Sequence, residues 1–176
     1  MCTILLFLIL QMHKRLYLLC PTDGLESIIN DTFKYENYYY TSLGNSFVFD
    51  SKTLHWIKDF ITKNHITNIQ FILCKDNPVV LDALGDQSFS MLNGIHTIYN
   101  EITEQNIRSR VISQSRNSKF SVISYYLNTK IAKLQLELNT LLDAPIQIGG
   151  KIYNRHQNTF INIYSNLVCL DKYHLN

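Results

Sequence analysis

The sequence predicts one α/β domain: an open, mainly parallel central sheet flanked by helices and ending in a C-terminal hairpin. Three observations carry this. Residues 15–20 (RLYLLC) and 69–74 (IQFILC) are short, nearly continuous apolar runs, the pattern of strands buried on both faces. A helical stretch lies between them, so strand, helix and strand come in the order of a right-handed parallel crossover. Near the end, two alternating segments flank a turn-rich stretch at residues 154–158, which reads as a hairpin.

Each element has its local reason. The first strand is stopped by Pro21 and Gly24, and residues 25–33 suit a short helix. Tyr38, Tyr39 and Tyr40 favour a second extended piece, ending at Leu43-Gly44-Asn45. Asp50 or Ser51 caps a helix whose Leu54, Ile57, Phe60 and Ile61 share one face, and Asn64-His65 ends it. Residues 95–105 read as helix and 110–112 as a short strand. Over residues 118–142, Leu127, Ile131, Leu134, Leu138 and Leu141 recur at helical spacing, and Ala144-Pro145 stops the run. That stripe reads as packing against the sheet rather than as a coiled-coil seam. Residues 146–148 alternate, Gly149-Gly150 invites a bend or bulge, and alternation returns at 151–153 and 159–164.

Composition narrows the function classes. A chain of 176 residues with 46% hydrophobic and 17% charged residues builds one ordinary core. A net charge of +2, with Lys and Arg scattered, argues against nucleic acid or an acidic membrane as partner. Cys2, Cys20, Cys74 and Cys169 are too dispersed for a disulfide framework, which points to a reducing, cytoplasmic setting. The apolar residues 1–10 fall short of the about 20 needed to span a bilayer. His13, Lys14 and Arg15 come after that run, whereas a secretory signal carries its charge ahead of it. Met12 precedes the first strand, so residues 1–11 read as a non-native or disordered extension and residues 12–176 as the single domain.

The order of landmarks is more specific than any one of them. A strand ends in LLCPTD (18–23), Leu-Gly-Asn comes next at 43–45, a helix leads to FILCKDNPVV (71–80), and IGGKIYNRHQNTFINI (148–163) comes late. This succession resembles the β-class carbonic anhydrases over residues 15–163. In that family a first strand ends in Cys-x-Asp-x-Arg, an Ala-Gly-Asn loop comes after it, a second strand ends in Gly-His-x-x-Cys-Gly, and a late strand reads Gly-x-x-Tyr-Asp. The resemblance implies that family's open α/β sheet and a zinc held by two cysteines and one histidine, with a fourth position for water or aspartate.

Laid on that pattern, Cys20 takes the place of the first cysteine, Cys74 that of the histidine, and Asn77 that of the second cysteine, with Pro78 in place of the glycine after it. A neutral amide is a poor zinc ligand, so one metal position of three is kept. Asp23, the candidate for the family's acid/base aspartate, lies one residue late, and no nearby arginine stands in for the one it pairs with. The family's helical arm, which wraps a partner subunit, has no counterpart ahead of the first strand, which leaves a homodimer open.

Two readings of the site are open. Cys20 and Cys74 end strands that point to the edge of a parallel sheet where ligands bind. They are either thiolates holding a metal with Asp23 or Asp76, or two ordinary buried thiols. His55, His65, His96, His156 and His174 show no metal-binding repeat. Trp56 and the tyrosines at 38–40 either line a pocket or interface or belong to the core. Two functions are therefore carried forward: a non-catalytic relative with a binding or interaction role and no cofactor, and a divergent zinc enzyme hydrating carbon dioxide with Cys20, Cys74 and a carboxylate. An unrelated α/β domain is the third possibility.

Overall fold

In a computed structural model that describes residues 14–92, 94–112 and 118–163, five strands form one sheet in the order β2-β1-β3-β4-β5. They are β1 (Lys14–Leu19), β2 (Glu36–Thr41), β3 (Asn68–Cys74), β4 (Gln147–Asn154) and β5 (Thr159–Asn162). The first four are parallel, and β5 runs back along β4 as the predicted hairpin. The helices are α1 (Glu26–Thr32), α2 (Ser51–Asn64), α3 (Pro78–Leu84), α4 (Ile95–Ile112) and α5 (Ser118–Leu141). None of these helices is long and apolar enough to cross a membrane. The extension expected at residues 1–11, Cys2, Cys169, His174 and the last residue of the 159–164 segment all lie outside the described residues.

Alternation along the strands divides the core in two. Leu16, Leu18 and Cys20 of the first strand, with Ile69, Phe71 and Leu73 of β3 and Ile152 of β4, face the large cluster. The long helices supply its outer half. Leu54, Ile57 and Ile61 come from α2, Ile98, Tyr99 and Ile102 from α4, and Leu127, Leu134 and Leu138 from α5. Tyr17, Leu19, Ile72, Cys74 and Tyr153 face the other way, into a smaller cluster closed by Leu25 and Ile29 and by partly buried Phe33, Tyr39 and Phe160. Among the described residues the sheet is therefore thickly covered on one side and thinly on the other.

Of the two capping residues expected, Asp50 is the cap: its carboxylate accepts the Thr53 N–H at 2.7 Å, and His65 closes α2 in a left-handed conformation. Phe60 of the predicted stripe is only partly buried, and Trp56 stacks on it at 5.2 Å. Trp56 is 46% exposed, while Tyr38 and Tyr40 pack against the large cluster. That aromatic group is thus core on its inner side and surface on its outer side.

Two expectations are corrected. Residues 110–112 are not a strand but the last turn of α4, since extending a helix adds one hydrogen bond per residue whereas three isolated residues have no strand to pair with. Gly149-Gly150 makes no bulge, and β4 stays in register with β3 through both glycines. They are needed for close approach instead: a Cβ on Gly150 would stand 2.6 Å from Ile163 Cδ1 and 3.0 Å from Ile131 Cδ1. One element goes beyond the sequence-based expectations, the short helix Pro78–Leu84 after β3.

Leu18 is fully buried in the central strand, so Leu18→Ala should cost about 3 kcal/mol in urea unfolding. Leu136, 66% exposed on the outer side of α5, should tolerate Leu136→Ser within about 0.5 kcal/mol. Equal losses at both positions would contradict this division of the core.

Candidate functional site

The carboxyl ends of β1 and β3 lie side by side, and side chains hold the loop after each strand in place there. Pro21–Asp23 makes one 3-10 turn after β1, ended by Gly24 in a left-handed conformation. This turn delivers Asp23, 2% exposed, to the end of β3. Its carboxylate accepts the Cys74 N–H at 2.8 Å through one oxygen and the Asn77 Nδ2 amide at 2.9 Å through the other. Burial is the largest influence on this carboxyl and raises its pKa above the ordinary value. The two hydrogen bonds and the Arg155 charge oppose that shift.

Asn77 uses both ends of its amide. Besides donating to Asp23, it accepts the Val80 N–H at 3.0 Å and so caps α3, with Pro78 in the first turn. Asn-Pro ahead of Val-Val was a legible capping signal in the sequence. Nδ2 also lies 3.4 Å from the Thr22 hydroxyl, which in turn contacts Cys20 Sγ at 3.0 Å.

Cys20 is buried on the large-cluster side and its sulfur accepts the Gly44 N–H at 3.1 Å. The Leu43-Gly44-Asn45 turn thus closes over it. Gly44 takes a positive φ, and a Cβ there would press on Val79 and Ile98 at 3.1 Å. Asn45 donates to the carbonyls of Leu18 and Ile72, tying β1 to β3, and Tyr126 of α5 donates to the Gly44 carbonyl at 2.9 Å.

The structure does not bring Cys20 and Cys74 together. Leu19 is in register with Ile72, so Cys20 continues the strand toward Leu73, while Cys74 projects from the opposite face into the small cluster. Each sits on its own strand end, but the alternation differs by one residue. Burial, and after it the Asp23 charge, pushes the Cys74 thiol up, so it keeps its proton. His55, His65, His96 and His156 are all exposed and stand outside this network. Asp76 is exposed and pairs with Arg155. Among the described residues, no three His, Cys, Asp or Glu side chains converge as metal ligands would.

Arg155 is a site residue that the sequence alone did not single out. No arginine comes soon after Cys20, but the β4–β5 turn supplies one from 132 positions downstream of Asp23: its guanidinium donates to the Asp23 carbonyl at 2.5 Å and stands 4.0 Å from the carboxylate. Its Nε also meets Asp76 at 3.3 Å. The available signal was topological, because β4 runs parallel to β1 and β3 and the turn after it must fall at the same sheet edge.

No family model matches the sequence, and neither does any curated protein. Solved structures do match the fold. The β-carbonic anhydrase CafD of Aspergillus fumigatus, in a cysteine-to-alanine mutant form, aligns with a TM-score of 0.67 at 14% identity, over 86% of this chain and 90% of that one. A tetrameric β-carbonic anhydrase of Sordaria macrospora aligns with a TM-score of 0.66 at 11% identity, over 95% of this chain and 86% of its own. The Coccomyxa enzyme in complex with acetazolamide aligns at 0.67 and 9% identity, over 87% and 72%. At these identities the finding is one of fold: this chain has the β-carbonic anhydrase fold.

Two measurements test the site. Because the folded Asp23 pKa lies above the unfolded one, its stabilising contribution is complete below the unfolded value of about 3.8 and is lost as pH rises through the folded value. The stability of wild type minus that of Asp23→Asn should therefore fall between acid and neutral pH, and a rising difference would contradict it. Asn77→Ala removes a cap and one donor to a buried carboxylate, and should cost about 2 to 4 kcal/mol by chemical unfolding.

Proposed function

We propose that this protein is a non-catalytic carrier of the β-carbonic anhydrase fold, with a binding or interaction role in place of carbon dioxide hydration. One observation carries the reading: the Asn77 amide, at the position of a zinc cysteine in the resemblance, is spent on Asp23 and on the Val80 N–H. An open zinc site needs three protein ligands of thiolate, imidazole or carboxylate character around one point. Here the first sulfur is committed to Gly44 and Thr22, the second thiol faces the other side of the sheet, and the candidate carboxylate is tied to Cys74 and Asn77. The donor set does not fit zinc, and Asp23 serves as a structural acceptor rather than as an acid/base group.

Two further parts belong to the same reading. Two buried free thiols suit a reducing, cytoplasmic setting. Self-association, as a homodimer or larger assembly, is supported by the tetrameric Sordaria macrospora enzymes and by the outer edge of β2, which pairs with no strand among the described residues.

Elemental analysis of protein produced in zinc-supplemented medium should find far less than one zinc per chain. Stopped-flow assay should find carbon dioxide hydration at the uncatalysed rate. Stoichiometric zinc lost on Cys20→Ser, together with hydration activity, would overturn the proposal in favour of a divergent zinc enzyme using Cys20, Cys74 and a carboxylate.

A further inference from the structure

The thinly covered face of the sheet changes character along its length. Near the carboxyl ends it is apolar, under Leu25 and Ile29. Toward the amino ends the same alternation sets Arg15 of β1, Asn68 and Gln70 of β3, and Gln147, Gly149 and Lys151 of β4 on it in register. A cleft of about 500 Å³, a size that holds a small metabolite, opens over Asn68, Gln70, Gln147, Gly149 and Lys151. It continues round the outer edge of β4, where β5 has ended, to Asn128 and Ile131 of α5.

The chemistry of this cleft is one-sided. Lys151 in its lining and Arg15, in register with Asn68 on the same face, are both half-buried, and no carboxylate lines the cleft among the described residues. The Arg15 guanidinium lies 3.9 Å over the Tyr35 ring, and its Nε is buried with no hydrogen-bond partner within reach among the described residues. Lys151 donates to the Asn162 side chain, and burial, then the Arg15 charge, lowers its pKa. Two partly desolvated cations on one face repel each other unless an anion joins them. Around them runs a chain of carboxamides, from Gln70 to Asn68 at 2.8 Å and from Asn68 to Gln147 at 3.1 Å. Gly149 keeps the floor open, since a Cβ there would stand 2.9 Å from the Gln70 amide.

We propose that this cleft binds a small polyhydroxylated oxyanion, a sugar phosphate or a sugar carboxylate. Lys151 holds the oxyanion, Arg15 on the same face adds to the positive field, and the amides of Asn68, Gln70 and Gln147 match the hydroxyls. Guanidinium and ammonium groups form their strongest hydrogen bonds to phosphate and carboxylate oxygens, and carboxamides both donate and accept, as hydroxyl groups require. Among the described residues no aromatic ring lines the cleft, which sets this apart from sites that grip neutral sugars by stacking. This site does not depend on the non-catalytic reading, because it lies away from Cys20, Asp23 and Asn77.

Isothermal titration of the full chain with glucose 6-phosphate, gluconate, glucose and sulfate tests the proposal. One or both polyol anions should bind at a single site, and which of them does so distinguishes the phosphate from the carboxylate. Glucose and sulfate should bind at least about tenfold more weakly, as loss of a charge-assisted bond or of the hydroxyl contacts implies. Lys151→Gln should weaken the polyol anion by a similar factor. Should that variant not fold, Gly149→Ala, which displaces the Gln70 amide, should do the same. No binding of either polyol anion at millimolar concentration, sulfate binding equal to theirs, or unchanged affinity in the folded variant would overturn it.

Discussion

A carboxylate buried at the carboxyl edge of a parallel sheet has to be supplied with donors, and the elements around Asp23 are arranged to supply them. Isolated in an apolar medium, an ionised carboxylate would cost many kcal/mol, and it would take up a proton instead. Here β3 contributes the Cys74 N–H, the α3 cap contributes the Asn77 amide, and the hairpin turn contributes Arg155. One acidic side chain thereby fixes the relative positions of β1, β3, α3 and the β4–β5 turn. Remove any donor and two elements lose a tether.

This also explains why Cys20 and Asp23, three residues apart, have separate environments. Cys20 still obeys the alternation of β1 and joins the large cluster, where the Gly44 N–H and the Thr22 hydroxyl meet its sulfur. The 3-10 turn then reverses the chain and carries Asp23 across to the Cys74 side. Thr22, in contact with both Cys20 and Asn77, is the seam between the two faces. A metal would need its donors on one side of that seam, whereas hydrogen bonds reach across it pairwise.

The sheet and its helices were legible because each rests on a local pattern. Continuous apolar runs marked β1 and β3, Asp50 marked the start of α2, and the Leu127 to Leu141 stripe marked α5, all of which depend on residues within one or two turns. The family resemblance added the order of the landmarks, and the fold agrees with it. The illegible parts depend on relations between distant segments. Arg155 reaches Asp23 only once β4 lies parallel beside β3, and the opposite facing of Cys20 and Cys74 comes from the inter-strand register rather than from either strand. The Gly149-Gly150 pair misled for a similar reason. Glycine in a strand signals either a bulge or a close neighbour, and only the approach of Ile131, Ile163 and Gln70 decides between them.

The unequal covering of the sheet gives the two halves of the thin face different physical roles. At the carboxyl end, Tyr17 stacks with Phe33 and Tyr39, and Phe160 packs on Phe33 and Tyr153, so aromatic rings from β1, β2, β4 and β5 seal the space beside the short helix α1. Little is left there for a ligand to enter, and the residues that would form the family's metal site are at most 2% exposed. At the amino end none of the described helices covers this face, and the strands turn amides, Lys151 and Arg15 outward instead. Polar groups on a sheet face hold open a surface that apolar ones would close by recruiting a neighbour. Ligands of parallel sheets usually bind at the carboxyl edge, and this chain opens a further polar cleft at the other end of the same strands.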